Sequence, residues 1–136
     1  MLYHDWECRQ TILLVNDKPD ILNSLSLQVR QMGYRVLTAF DGREGFQIAQ
    51  VAHPDLIISD MAMSGTDGIE LCRLVRAHPL LRFIPLLLIS GLPRDSLAVA
   101  EAFRAGAADY LQIPCEPEFF ASTVARMIER KWGELL

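Results

Sequence analysis

The sequence predicts a doubly wound parallel α/β domain with five strands and five helices. Short and nearly continuous apolar segments alternate with segments whose apolar residues recur at helical spacing. Strands that are apolar throughout are buried on both faces, and strict alternation with helices favours parallel pairing through right-handed crossovers. We expect residues 1–136 to form one domain, with a core over about 11–132 and a polar, tag-like segment over 1–10.

Three strands are predicted in the first half of the chain, at 11–15, 35–40 and 56–60, where β-branched, leucine and aromatic residues are concentrated. The first helix begins near Pro19, which suits a first helical turn, and it ends at Gly33. The second helix is predicted over 44–52, with apolar residues Phe46, Ile48, Ala49 and Val51.

The second half continues the alternation. A third helix is predicted over 69–77, and a fourth strand over 86–89. An alanine-rich fourth helix over 97–105 has the apolar points Leu97, Ala100 and Phe103. A short fifth strand over 109–113 precedes a last helix that begins at Pro117.

Composition excludes several classes of function. A net charge of -4 and scattered basic residues argue against direct nucleic-acid binding, because phosphate neutralisation needs a concentrated basic surface. The apolar runs are too short to cross a bilayer and the N-terminus is no signal peptide, so we expect a cytoplasmic protein without membrane contact. Cys8, Cys72 and Cys115 are widely spaced, which indicates reduced thiols and neither a disulfide framework nor a zinc site.

Polar residues follow several of the predicted strands. In the flavodoxin-like strand order 2-1-3-4-5, the strand ends would bring Asn16, Asp17, Asp60, Ser90 and Ile113 around one crevice. Two carboxylates and an amide suit Mg²⁺, which takes one or two protein carboxylates and keeps several waters. Such an ion would offset the repulsion between the acids and neutralise an incoming phosphoryl group. The pattern therefore predicts a phosphoryl site.

These residues resemble the receiver domains of two-component response regulators, over nearly the whole chain. The segment 11–20 is similar to the family's strand one and the acidic pair after it, and the loop 60–68 is similar to the phosphoacceptor loop. Ser90 matches the family's switch hydroxyl, and the segment 106–114 matches the strand five motif, with Tyr110 at the switch aromatic position.

The resemblance implies that Asp60 accepts a phosphoryl group from a phosphohistidine or a small phosphodonor. It implies that Asp17, Asp60 and the Ala62 backbone carbonyl hold Mg²⁺, with the Asn16 side chain as a further oxygen ligand. It also implies a sensor histidine kinase or phosphotransfer protein as partner, homodimerisation through helix four, strand five and helix five, and no enzymatic activity of its own. A cis peptide bond between Ile113 and Pro114 is expected on the same ground.

Three positions depart from the family pattern. Asn16 stands where the family usually has an acid, so one negative charge is lost and we expect weaker metal binding. Ile113 stands where the family has a lysine that pairs with the phosphoryl group, and an aliphatic side chain donates no hydrogen bond. A hydrogen bond to a charged group contributes roughly 1.5–3 kcal/mol, so we expect weaker coupling of phosphorylation to the switch. Ser64 replaces a frequent proline in the acceptor loop.

Other functions stay open from the sequence. Asn16 and Ile113 also fit a pseudo-receiver that keeps the fold and acts as a phosphorylation-independent protein-binding module. A phosphatase of the haloacid dehalogenase type needs a second acid two residues after its nucleophile, where this chain has Ala62. A flavin carrier needs phosphate-binding donors after strand one, where Asp17 and Asp20 would repel the phosphate.

Overall fold

A computed structural model of the chain describes residues 9–63, 65–92 and 95–135. Five parallel strands form one sheet: β1 (Thr11–Val15), β2 (Arg35–Ala39), β3 (Leu56–Asp60), β4 (Leu86–Ser90) and β5 (Asp109–Gln112). Their order is β2-β1-β3-β4-β5, which confirms the predicted fold class. The helices between and after them are α1 (Pro19–Gln31), α2 (Gly42–Ala52), α3 (Gly68–Ala77), α4 (Ser96–Arg104) and α5 (Pro117–Leu135).

The sheet is covered by helices on both faces. Every residue of β3 and β4 is buried, because successive side chains of each strand enter opposite faces of the core. Leu13, Ile57 and Leu88 pack with α2, α3 and α4 in one apolar cluster. The alternate strand residues pack with α1 and α5 in a second cluster.

The strand register aligns the carboxyl ends of four strands. Val15 lies opposite Ser59, so that Asn16 and Asp60 are the next residues on their two strands. Asp60 in turn lies opposite Ile89, and Ser90 lies opposite Gln112. The loops after β1, β3, β4 and β5 therefore meet at one edge of the sheet, where an open α/β sheet gathers its ligands.

Aspartate side chains cap three of the helices that begin at this edge. The carboxylates of Asp41, Asp67 and Asp95 accept backbone N–H groups at 2.8, 2.9 and 2.8 Å in the first turns of α2, α3 and α4. A cap of this kind satisfies one of the N–H groups that a helix start leaves without an intrahelical partner. These three acids have structural roles that fix the loops around the site.

A half-buried arginine connects the loops at the opposite edge. Arg76, in the last turn of α3, donates from Nε to the Gly106 carbonyl at 2.9 Å. Its Nη1 donates to the carbonyls of Ile84, at 2.6 Å, and of Arg82, at 3.0 Å. Burial lowers the pKa of the Arg76 guanidinium. One side chain thus connects α3 to the loop before β4 and to the loop before β5.

The structure corrects the predicted apolar faces of two helices. On α4, Leu97 and Phe103 are exposed by 76% and 45%, and Ala102 is the buried residue. On α2, Val51 is exposed by 86%. Helix α4 approaches the sheet through small alanine side chains, so its larger apolar residues lie to the sides of the contact.

The loop after β5 agrees with the prediction in one respect and differs in another. The peptide bond between Ile113 and Pro114 is cis, as predicted. Strand β5 ends at Gln112, so Ile113 lies in the loop and not in the strand. Ser64 and residues 1–8 lie outside the described residues. No helix in the described ranges is both long enough and apolar enough to cross a bilayer.

Candidate functional site

The site predicted from the sequence lies where β1 and β3 end. Asn16 and Asp60 are among the few buried polar residues, with 1% and 7% of their surface exposed. Asn16 directly follows β1 and Asp60 is the last residue of β3, so their proximity follows from the parallel register of the two strands. Asp17 is half-buried beside them.

The Asp60 carboxyl group is the buried acid of this edge. Burial raises its pKa above the ordinary value of 3.8, and the nearby charge of Asp17 acts in the same direction. Hydrogen bonding by the Ala62 backbone and the positive charge of Lys18 oppose this change and favour the carboxylate. The Met61 N–H donates to the Ile89 carbonyl at 2.8 Å, so Met61 ties the end of β3 to β4. A buried carboxyl group with a perturbed pKa is typical of functional sites.

The loop after β1 is fixed by its own side chain. The Asn16 Oδ1 atom accepts the Lys18 backbone N–H at 2.9 Å. The Lys18 carbonyl then accepts the Leu22 N–H at 3.0 Å in the first turn of α1, which begins at Pro19. This loop places Asp17 and Lys18 on the Asp60 side of the sheet edge, close enough for both charges to act on its pKa.

Two glycines allow the acceptor loop after β3 to pack closely. A Cβ atom on Gly68 would overlap the Asp60 carbonyl oxygen and would lie 2.8 Å from the Leu88 side chain. Gly42, at the start of α2, donates its N–H to the Thr66 carbonyl at 2.9 Å, and a Cβ there would lie 2.7 Å from that oxygen. The loop is therefore held between the end of its own strand and the start of α2.

The two predicted switch residues occupy neighbouring strands. The Ser90 hydroxyl donates to the Leu92 carbonyl at 2.7 Å and accepts the Leu92 N–H at 3.2 Å. Tyr110 packs against the cluster of α2, α3 and α4, and its hydroxyl is buried without a hydrogen-bond partner among the described residues. A Ser90 hydroxyl that turned toward Asp60 would give up its contacts with its own loop.

Ile113 occupies the position where a lysine was expected, and its side chain packs against the core. Its side chain is half-buried against the cluster of α1 and α5, and it lines a cavity of about 360 Å³ between α1 and the start of α5. Its backbone N–H donates to the Ser90 carbonyl at 2.9 Å. The Ile113 backbone thus connects the end of β4 to the loop after β5, but its side chain brings no positive charge to the site.

The oxygen atoms at this edge fit a hard divalent cation. In the described parts of the chain, no group of three or more His, Cys, Asp and Glu side chains is placed to hold a metal ion. The predicted set instead joins the Asp17 and Asp60 carboxylates to the Asn16 amide and the Ala62 carbonyl, a donor set suited to Mg²⁺ with bound waters. A cation here would relieve the cost of the buried Asp60 charge.

Sequence reasoning missed two contributors to this site. Lys18 stands within the segment that carries the acids, and its closeness in sequence to Asp17 was the available signal. Gly42 follows the cap Asp41, and nothing local in the sequence indicates its hydrogen bond to the acceptor loop. Both depend on how separate loops meet at the sheet edge.

Comparison with known proteins gives consistent matches. The response regulator receiver domain family matches residues 12–125. The alkaline phosphatase synthesis transcriptional regulatory protein PhoP of Bacillus subtilis is 32% identical over 119 residues, which are 88% of this chain and 48% of PhoP. The transcriptional regulatory protein AfsQ1 of Streptomyces coelicolor is 30% identical over 88% of this chain and 52% of its own length. The chain therefore spans about half of these two relatives.

Solved structures agree with the sequence matches. The chemotaxis protein CheY4 of Vibrio cholerae superposes with a TM-score of 0.83 at 32% identity, covering 88% of this chain and 99% of that one. The receiver domain of the sensor histidine kinase PA1611 from Pseudomonas aeruginosa has a TM-score of 0.82 at 27% identity, over 90% and 99% of the two chains. That structure holds a magnesium ion coordinated in its active site cleft.

The fold, the strand-end acids and the family match over most of the chain lead to one conclusion. This chain belongs to the receiver domains of two-component response regulators, which are signalling modules.

Proposed function

We propose that this receiver accepts a phosphoryl group on Asp60 from a histidine kinase or a phosphotransfer protein. The observation that carries the proposal is the environment of the Asp60 carboxyl group. It is buried at the end of β3, hydrogen bonding by the Ala62 backbone favours its ionised form, and it lies beside Asp17. Its place at the end of a buried strand fixes the position of the nucleophile, and such positioning favours in-line attack on phosphorus.

In this reaction a lone pair of an Asp60 oxygen forms the new O–P bond. The donor's P–N or P–O bond breaks, and its electron pair leaves with the donor group. Asn16, Asp17, Asp60 and the Ala62 carbonyl would hold Mg²⁺, which supplies positive charge for the phosphoryl oxygens when it is bound. Hydrogen bonding by the Ala62 backbone favours the ionised, attacking form of the Asp60 carboxyl group. Ser90 is the last residue of β4, at the same edge, and is our proposed switch hydroxyl; Tyr110 is our proposed switch aromatic.

Phosphodonor labelling tests this proposal directly. The purified protein is incubated with acetyl phosphate or phosphoramidate in Mg²⁺, and its intact mass is measured. We expect one added phosphoryl group in the wild type and none in Asp60→Asn. Asp95→Asn is the matched control, because it also removes one negative charge while asparagine keeps the helix cap. An unlabelled wild type, or label that persists in Asp60→Asn, would refute Asp60 as the acceptor.

A second candidate function is a phosphorylation-independent binding module. The observation that favours it is Ile113, whose side chain packs into the core where the family's lysine would reach the site. In such a module the fold would present its surface to partners without a phosphoryl signal.

The substitution Ile113→Lys separates the two functions. In a working receiver we expect the new ammonium to strengthen the phosphodonor-dependent change in the amide NMR shifts of Ser90 and Tyr110, by a charge-assisted contact with the phosphoryl group. In a binding module we expect lower thermal stability and no labelling, because the cation displaces apolar packing. Ile113→Met controls for loss of the branched side chain without adding charge.

A further inference from the structure

Ile113 leaves the proposed acceptor site without the lysine that the family has directly after β5. A phosphoryl group on Asp60 adds negative charge beside Asp17, and Mg²⁺ bound by two carboxylates offsets only part of it. Ile113 contributes its backbone N–H to Ser90, and its side chain faces the cluster of α1 and α5. A second source of positive charge would therefore have to come from another loop.

Lys18 is the lysine that the fold brings to this edge. It lies in the loop after β1, two residues beyond Asn16, and its side chain is exposed to solvent. Its backbone is fixed on both sides, by the Asn16 Oδ1 atom at 2.9 Å and by the hydrogen bond from Leu22 at 3.0 Å. The exposed side chain thus extends from an anchored Cα, and its four-carbon stem can bring the ammonium to an incoming group.

The strand register places this loop beside the proposed acceptor. Val15 lies opposite Ser59, so the loop after β1 begins next to Asp60 on the neighbouring strand. Asn16 and Asp60 are buried at this edge, and Lys18, two residues beyond Asn16, is exposed. Lys18 therefore lies on the solvent side of the buried end of the site, the side from which a phosphoryl donor would approach.

We propose that Lys18 binds a phosphoryl oxygen on Asp60 and so replaces the lysine that Ile113 has removed from the site. This inference rests on the proposed phosphoacceptor function and assigns its missing cation. The replacement also accounts for Asn16. With one acid fewer and a lysine in the loop after β1, the site keeps a charge suited to a doubly charged phosphoryl group, and it attracts Mg²⁺ less strongly.

Two measurements on one set of variants test the proposal. The set is wild type, Lys18→Met, Lys18→Arg, the double variant Lys18→Met with Ile113→Lys, and Arg30→Met. Arg30 is an exposed cation in the last turn of α1, so its variant has the same change in net charge away from the site. The first measurement is the rate of Asp60 labelling by phosphoramidate in saturating Mg²⁺. The second is the Mg²⁺ affinity without phosphodonor, from amide NMR shifts.

We expect Lys18→Met to label about tenfold more slowly or worse, because a charge-assisted hydrogen bond to the transferring group is lost. Lys18→Arg should retain much of the rate, and Ile113→Lys should restore it in the double variant. Mg²⁺ should bind Lys18→Met more tightly than wild type, since a competing cation has gone. Arg30→Met should match the wild type in both measurements.

The outcomes distinguish this inference from the function on which it rests. An unlabelled wild type refutes the acceptor function itself. If Lys18→Met and the wild type are labelled at the same rate and the label depends on Asp60, Asp60 is the acceptor and the role proposed for Lys18 is wrong. Equal slowing in Lys18→Met and Arg30→Met overturns it as well, because the effect would then be one of net charge. Unchanged Mg²⁺ affinity in Lys18→Met would remove Lys18 from the site whatever the labelling shows.

Discussion

At the scale of single residues, Asp60 is held in a form that costs stability. Its pKa is raised by burial, with Asp17 adding to the effect, while the N–H groups of the acceptor loop and Lys18 oppose it. A carboxyl group with a raised pKa in the folded protein is more easily ionised in the unfolded chain. Asp60, the proposed acceptor, is thus a position where the fold gives up stability.

Replacing this carboxylate by its neutral amide should stabilise the protein. Between the unfolded value of 3.8 and the higher folded pKa, the native state binds more protons at Asp60 than the unfolded chain does. The wild type therefore loses stability relative to Asp60→Asn as the pH rises through this window, and the deficit is fully present above it. Urea unfolding in EDTA, at pH values from below 3.8 to 7, measures the difference.

Two comparisons make this result specific. Asp95→Asn, which keeps its cap, should not show the pH-dependent gain. Added Mg²⁺ should narrow the gap between wild type and Asp60→Asn, because an ion that binds the folded site stabilises it. If Asp60→Asn were instead less stable than the wild type at neutral pH in EDTA, the buried Asp60 carboxylate would not be a cost to the fold.

The positions of the site residues at the strand ends could be predicted from the sequence. Their hydrogen bonds and side-chain contacts could not. Asn16 and Asp60 follow two apolar runs, and parallel pairing alone places such residues at one edge. The hydrogen bonds of Ser90 within its own loop, and the buried hydroxyl of Tyr110, depend on side-chain conformations that tertiary packing selects. The effect of the Lys18 charge on Asp60 likewise depends on how the loop after β1 turns at the sheet edge.

At the scale of secondary structure, strands were easier to predict than helix faces. Strands β3 and β4 are apolar and buried along their length, so composition alone identifies them. Helix α4 buries Ala102 and exposes Leu97 and Phe103, because alanines permit close approach to the sheet while the larger residues stand outside the contact. The prediction from hydrophobic periodicity gave most weight to the large apolar side chains, so it assigned the wrong buried face to α4.

Arg76 should contribute strongly to the stability of the elements it connects. Arg76→Met keeps an apolar stem but leaves the carbonyls of Gly106 and Ile84 without this donor. Loss of hydrogen bonds from a charged group to buried acceptors costs roughly 1.5–3 kcal/mol, so we expect the midpoint of thermal unfolding to fall by several degrees. Circular dichroism melts measure this change.

Arg82→Met is the matched control for that melt. The Arg82 guanidinium lies 5.0 Å from the centre of the exposed Phe83 ring, at the protein surface. Its backbone carbonyl, which accepts from Arg76, is unchanged by the substitution. We expect a nearly unaltered melting temperature, and equal losses in the two variants would show that Arg76 acts as an ordinary surface cation.

At the scale of the whole molecule, α4 has two exposed sides with different neighbours. Leu97 and Glu101 face α3, where they line a shallow surface groove with Arg73 and Arg76. Helical geometry places Phe103 beyond the buried Ala102 on the other side of α4, toward β5 and α5. The homodimer that the family resemblance implies, through α4, β5 and α5, would cover Phe103 and leave Leu97 exposed.

Phe103→Glu should therefore weaken self-association, and Leu97→Glu should not. Both residues are exposed and large, so either substitution removes a similar apolar surface and adds one charge. Sedimentation velocity over a range of concentrations, with and without phosphodonor, measures the effect. A dimer that Leu97→Glu disrupts instead would move the interface to the α3 side, and a dimer unaffected by phosphodonor would favour the binding module.

The strand order has a consequence for the chain as it is synthesised. β1 lies between β2 and β3, so its two hydrogen-bonding edges are closed by segments that emerge later. Until then the nascent polypeptide presents Ile12, Leu13 and Leu14 on a strand without its neighbours, a feature that favours aggregation and chaperone binding. The second edge closes when β3 has emerged from the ribosome, and the last residue of β3 is Asp60. The Asp60 carboxylate thus reaches its place in the same step that shields the central strand from other chains.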